Sequence, residues 1–266
     1  MPVNCPLSFH QERLWFVDRL EAGDGRAPPP TYHNLPLLLH GRGSPDGARV
    51  ATALRALVRR HGALRTRIVS EGGAATQVIH EDAEVPFTEI PLGAVGIDAA
   101  LDRAVADAKR PFFLQTDPLV RATLWRLGAD GPEFLLGVTV HHLIADRRSL
   151  RVMAEELAAL VRGAGAELPP PELHYHDFSA WQRSLPAEVL EPRLFYWKWQ
   201  LRGRLAVLDL PTARPRPAVH GFAEARHRFV WAAPLAAAVR ALAARENSEP
   251  RVVALAALQV ILHRYA

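Results

Sequence analysis

Residues Phe134 to Val140 (FLLGVTV) run without a single charge, between Glu133 and the pair His141-His142. A strand that buries one face alternates apolar and polar residues; an unbroken run is what a strand buried on both faces requires. This segment therefore reads as the interior of a sheet, with other elements covering both sides. Its neighbours fit that demand. LVRATLWRL precedes it as a second strand, through the turn Gly128-Ala129-Asp130-Gly131. RRSLRVMAEELAALVRG follows as an amphipathic helix whose buried stripe is Leu150, Met153, Ala154, Leu157, Leu160 and Val161.

The same patterning extends outward. A helix is expected over Leu7 to Leu20, then a Gly- and Pro-rich loop over Glu21 to Pro30. HNLPLLLHG reads as a strand, which Pro36 assigns to an edge or bulge. ARVATALRALVRRHG is a helix with Gly62 at its C-terminal end, and LRTRIVS and ATQVIHE are arms of a hairpin turned at Glu71-Gly72-Gly73. Another helix runs from Ala99 to Lys109. The triplet Pro169-Pro170-Pro171 is a stiff spacer, giving an expected division into domains 1–170 and 171–266. Beyond it lie a Trp-rich helical stretch to Leu201, the irregular LPTARPRPAVHG, a strand EARHRFVW, and Ala-rich helices over Pro234 to Glu246 and Val252 to Tyr265. Strands mixed with helices, not strictly alternating, make the fold class mixed α/β (α+β), a sheet flanked by helices.

Composition removes several function classes. With 266 residues and 49% hydrophobic content the chain is long enough for one large domain or two lobes. No apolar run reaches the ~20 residues of a membrane-spanning helix. The N-terminal MPVNCPLSFHQERLW is not a secretory leader, and one cysteine, Cys5, fits a reducing compartment, so a cytoplasmic location is expected. The net charge of +4 rests almost wholly on arginine, scattered through helices that also carry acids. No nucleic-acid partner is expected from that distribution.

His141-His142-Leu143-Ile144-Ala145-Asp146 is the sharpest chemical feature. A strand-to-helix junction holds a polar group rigidly at the edge of an apolar core, and a neutral imidazole accepts a proton or a hydrogen bond near neutral pH. Successive strand residues face opposite ways, so only one of the two histidines enters a given cavity. A bland alternative stands beside this: both histidines satisfied by carbonyls, with Asp146 as a helix N-cap. Arg65 is the first ion-pair partner to test for Asp146. A second cluster, His174, His176 and Asp177, lacks the spacing of a zinc site, and no metal is expected. Neither a G-x-S-x-G elbow nor a phosphate-binding Gly loop is present. A general-base or positioning histidine acting on two bound reactants is what remains.

Four segments in order resemble motifs of the condensation domain of nonribosomal peptide synthetases, in the chloramphenicol acetyltransferase-like superfamily. They are LSFHQERLWFVDRL (Leu7 to Leu20), RRHGALRTRI (Arg59 to Ile68), HHLIADRRS (from His141) and YHDFSAWQ (Tyr175 to Gln182). The resemblance implies a chloramphenicol acetyltransferase-like lobe plus the start of a second similar lobe, the family domain continuing past the last residue here. It implies an acyltransferase-type enzyme that forms an amide bond between a donor acyl or peptidyl thioester and an acceptor amine. Both are tethered through phosphopantetheine to carrier proteins, in nonribosomal peptide or hybrid polyketide-peptide biosynthesis. On this reading His142 faces the reacting atoms, His141 is structural, Asp146 pairs with Arg65, no cofactor is bound by the domain, and neighbouring synthetase domains are partners. Residues that select the substrates are not legible.

One departure stands out: Arg147 occupies the place of the family's usual Gly. Two other classes follow from the sequence, a noncatalytic carrier-protein docking or scaffold module and a related acyltransferase using a soluble acceptor.

Overall fold

A computed structural model describes residues 2–22, 28–128, 132–163, 168–203, 208–212, 215 and 227–265. The chain forms two compact units, Met1–Val189 and Leu190–Ala266. The Pro triplet thus lies inside the first unit, because the helix that follows it packs back on the first strand. No helix among the described residues is long and apolar enough to cross a membrane.

The first unit holds two sheets. Strands β1 (Val3–Pro6), β3 (Thr66–Glu71) and β4 (Ala74–Ile79) form an antiparallel sheet in the order β1-β4-β3. Strands β2 (Asn34–Arg42), β5 (Phe87–Gly93), β6 (Val120–Leu127) and β7 (Glu133–His141) form the second, in the order β2-β7-β6-β5. The uncharged run is therefore a central strand, as its composition demanded. β2 is an edge, which accommodates Pro36. Two strands were not foreseen. β1 is four residues ending in proline, and β5 is an edge strand carrying Pro91, pairing parallel to β6 with a register shift after it.

Both faces of the central sheet are covered. Leu136, Val138 and Val140 of β7 join Leu54, Leu57 and Val58 of helix α2 (Gly47–Arg60) and Met153 and Leu157 of α4 (Arg147–Arg162) in the main core. Leu135, one residue out of phase, packs instead with Trp125, Leu127 and Ala100 and Ala104 of α3 (Ile97–Ala108). Burying one such side chain stabilises the fold by about 1.5–3 kcal/mol. Gly137 is glycine for a packing reason: a Cβ there would stand 2.7 Å from the Trp125 ring.

Helix α1 (Phe9–Ala22) begins two residues later than the pattern suggested, after β1. α2 ends at His61, and Gly62 opens a short 3-10 turn, Gly62–Arg65, rather than capping the helix. α4 is closed by Gly163 in the left-handed region (φ 89°). Helix α5 (Tyr175–Arg183) carries the fourth motif.

In the second unit, α6 (Ala187–Gln200) straddles the boundary, and α7 (Ala233–Arg245) and α8 (Pro250–Tyr265) form the Ala-rich pair. The expected strand EARHRFVW is corrected. Its residues 227–231 lie in no strand, having no ladder partner among the described residues, and 224–226 fall outside them. Much of LPTARPRPAVHG also falls outside the described residues.

Candidate active site

His141 is the last residue of β7 and His142 the first of the turn into α4, so pleat and turn separate the two rings. His141 is 1% exposed, whereas His142 is partly exposed. The backbone N–H of His142 donates to the His33 carbonyl at 2.8 Å, fixing the turn against the segment before β2. The His142 Nδ1 lies 2.8 Å from the Ala145 carbonyl. A carbonyl only accepts, so Nδ1 carries a proton, and in the neutral form of the ring the lone pair is on Nε2. That leaves one accepting nitrogen on a rigidly held ring. His10 of α1 sits edge-on to this ring, with centroids 5.6 Å apart. Burial, with Arg13 and His142 nearby, lowers the His10 pKa, so that ring is neutral near pH 7.

His141 is held differently. Its Nδ1 accepts the Leu143 N–H at 3.2 Å, which puts its proton on Nε2. Burial above all, reinforced by His33 and His142, lowers its pKa to about 3. The 3.9 Å approach of its Nε2 to Asp18 Oδ1 is therefore no ion pair near neutral pH, since the imidazole stays uncharged.

Asp146 is the N-cap of α4. Its Oδ1 accepts from the Ser149 N–H and Oγ–H, each at 2.7 Å, and Ser149 Oγ accepts the Asp146 N–H at 3.2 Å. These hydrogen bonds hold its carboxyl below the usual range. The expected Arg65–Asp146 pair is absent. Arg65 instead donates to the Arg59 carbonyl at 3.2 Å and to the His80 carbonyl, tying the end of α2 to the end of β4. Both groups are satisfied where they stand, so nothing draws them together. The second motif reaches α4 through other side chains. His61 Nε2 lies 2.5 Å and Arg60 Nε 3.2 Å from the Glu156 carboxylate.

The first and fourth motifs meet behind the turn. Gln11 Nε2 donates to the Leu143 carbonyl and to Gln77 Oε1, both at 3.3 Å. Gln77 donates in turn to Ser179 Oγ of α5 at 2.6 Å. Ser8 Oγ is 2.8 Å from Tyr175 Oη, and the Phe9 N–H donates to Gln182 at 2.8 Å. His174 and His176 stack on each other at 5.3 Å. A cavity of about 330 Å³ lies against Ala145, Asp146, Ser149, Met153, His61 and Leu64; His142 is not among the residues that line it.

Sequence reading missed His10, Gln11, Asp18 and His33 as neighbours of the motif. A signal existed: Gln11, Leu14 and Asp18 share one stripe of α1, and two of them are polar on a buried face.

The first unit is thus a two-sheet α/β lobe with one partly exposed histidine just past the end of its central strand. The chain matches the Condensation domain family over residues 3–266 and belongs to it. It is 40% identical over 270 residues to phosphinothricin tripeptide synthetase PhsC of Streptomyces viridochromogenes, covering 98% of this chain and 24% of that protein. It is 38% identical over 277 residues to a linear gramicidin synthase of Brevibacillus parabrevis, covering 99% of this chain and 3% of that one. The chain thus spans a small part of the synthetases it matches. Among solved structures, the X-domain in complex with OxyB from teicoplanin biosynthesis superposes with a TM-score of 0.81 at 28% identity, covering 100% of this chain and 58% of that one. The fold is that of chloramphenicol acetyltransferase-like condensation domains, and the relatives are nonribosomal peptide synthetases.

Proposed function

We propose that this chain forms an amide bond between a donor acyl or peptidyl thioester and an acceptor amine, each carried on the phosphopantetheine arm of a carrier protein. The observation that carries this reading is the His142 ring, partly exposed, with Nδ1–H on the Ala145 carbonyl and Nε2 left to accept. In the proposed step the amine nitrogen attacks the thioester carbonyl and the C–N bond forms. His142 Nε2 accepts the N–H of the attacking amine, the C–S bond breaks, and the proton leaves with the thiolate as the free thiol. No acyl-enzyme and no bound cofactor enter. Holding two tethered reactants together supplies much of the rate, and a general base typically adds about 10²–10⁴-fold. His141 and Asp146 support the turn rather than touch the reactants, and Arg65 braces the β3–β4 hairpin against α2. Neighbouring synthetase domains are the proposed partners.

The test is amide formation by the natural protein with loaded carrier proteins. His142→Ala is expected to abolish most turnover with the circular dichroism unchanged; turnover at the wild-type rate overturns the assignment.

A docking role is the second reading. It is favoured by the teicoplanin X-domain, which is found in complex with OxyB, and by Arg147 in place of glycine. Tight carrier-protein binding without any amide product would establish it.

A further inference from the structure

We infer that Asp18 is a positioning residue for the reaction histidine: it takes the Nε2–H of His141 and so holds the turn that presents His142. The inference rests on the proposed role of His142. Asp18 lies on α1, two turns beyond His10, and is 5% exposed; His141 is 1% exposed. Asp18 Oδ1 and His141 Nε2 are both buried without a hydrogen-bond partner among the described residues, 3.9 Å apart. With Leu143 N–H on Nδ1, the imidazole must carry its proton on Nε2, so a buried donor faces a buried acceptor. Buried polar groups left apart are costly, and a small rotation of the carboxylate or one bridging water joins these two.

The coupling to His142 is short. His141 accepts Leu143 N–H on its ring and Ile144 N–H on its carbonyl at 3.1 Å, so its orientation sets residues 143–145. The Ala145 carbonyl at the end of that turn fixes which His142 nitrogen is protonated. The other groups facing the pair are Glu21 on α1, which accepts from Tyr32, and His33, whose ring lies 5.6 Å from that of His141. His33 Nε2 is a third buried atom without a partner among the described residues, and the His33 carbonyl holds the His142 N–H.

The test reads the ring protonation of His141 directly, in the protein labelled with nitrogen-15 histidine, His141 being assigned by its loss in His141→Asn. The wild type is expected to show a slowly exchanging Nε2 proton. Asp18→Leu is expected to lose it and to lower kcat for amide formation about 10- to 100-fold with KM for the carrier proteins unchanged. Asp18→Asn keeps an accepting oxygen and is expected to restore the Nε2 proton and most of kcat. An unchanged His141 resonance in Asp18→Leu overturns the positioning role, whatever the turnover. A wild type that shows the Asp18-dependent proton yet makes no amide overturns the reaction and leaves the positioning role standing.

Discussion

Asp146 and Arg65, brought together by motif order in the sequence, do not pair: Asp146 Oδ1 is bonded twice to Ser149 while Arg65 holds the carbonyls of Arg59 and His80. Each therefore stabilises a different junction, one the start of α4 and the other the β3–β4 hairpin against α2.

Their energetic independence is measurable. Asp146→Ala removes an N-cap and is expected to cost about 1 kcal/mol, whereas Asp146→Asn, also a good cap, stays near wild type. In a double-mutant cycle with Arg65→Ala by urea denaturation, the coupling energy is expected within ~0.5 kcal/mol of zero. A coupling well above that would restore the ion pair.

The central strand predicts a steric limit. Gly137→Ala places a methyl group 2.7 Å from a Trp125 ring carbon. Overpacking of this kind costs about 1–3 kcal/mol, read as a lower thermal midpoint. A midpoint equal to that of wild type would show that Trp125 moves aside freely.

Gln11 links three partners at once. Gln11→Leu strands the Leu143 carbonyl, Gln77 Oε1 and the Ser8 N–H, which donates to Gln11 Oε1 at 3.0 Å. Each buried group left unpaired costs about 1–3 kcal/mol. On the proposed function, stability and amide formation are expected to fall together, since the Leu143 carbonyl belongs to the turn that carries His142. Loss of stability with full turnover would separate α1 from that turn.

Acid sensitivity follows from the buried pair. His141, lowered to about 3 from 6.5, takes up its proton in the unfolded chain first. Its contribution is intact above pH 6.5 and is lost as pH falls through that value toward 3. Asp18, raised by burial and then by Glu21 to about 6, acts oppositely: its ionisation opposes folding as pH rises from 3.8 to 6. Asp18→Asn is expected to raise the thermal midpoint above pH 6 and leave it little changed near pH 3. No gain near neutral pH would mean that the carboxylate is stabilised in place.

The long elements were legible because period and burial agree in them. Phe134–Val140 could only be central, and the stripes of α2 and α4 could only face it. β1 and β5 escaped because four residues, or a strand broken by Pro91, carry too little pattern, and their pairing is decided by distant neighbours. The motif histidines were visible as a pair; the structure buries the first ring and leaves the second partly exposed, and it is the turn after β7 rather than strand alternation that parts them. Which ring nitrogen accepts was beyond the sequence, since it depends on a carbonyl three residues away. Asp18 and Gln11 escaped because a polar residue on a buried stripe declares no partner until the turn it touches is built.

The bonds that anchor the start of α1 come from far along the chain: Tyr175 to Ser8, Gln182 to Phe9, and Arg183 to the Leu7 carbonyl at 2.6 Å. A nascent polypeptide released only as far as Gly163 has its central strand and both flanking helices, yet lacks the clasp that seats α1 beneath the histidine turn. Those three contacts join residues more than 160 positions apart, so the seat of α1 is a part of the lobe that local sequence cannot complete.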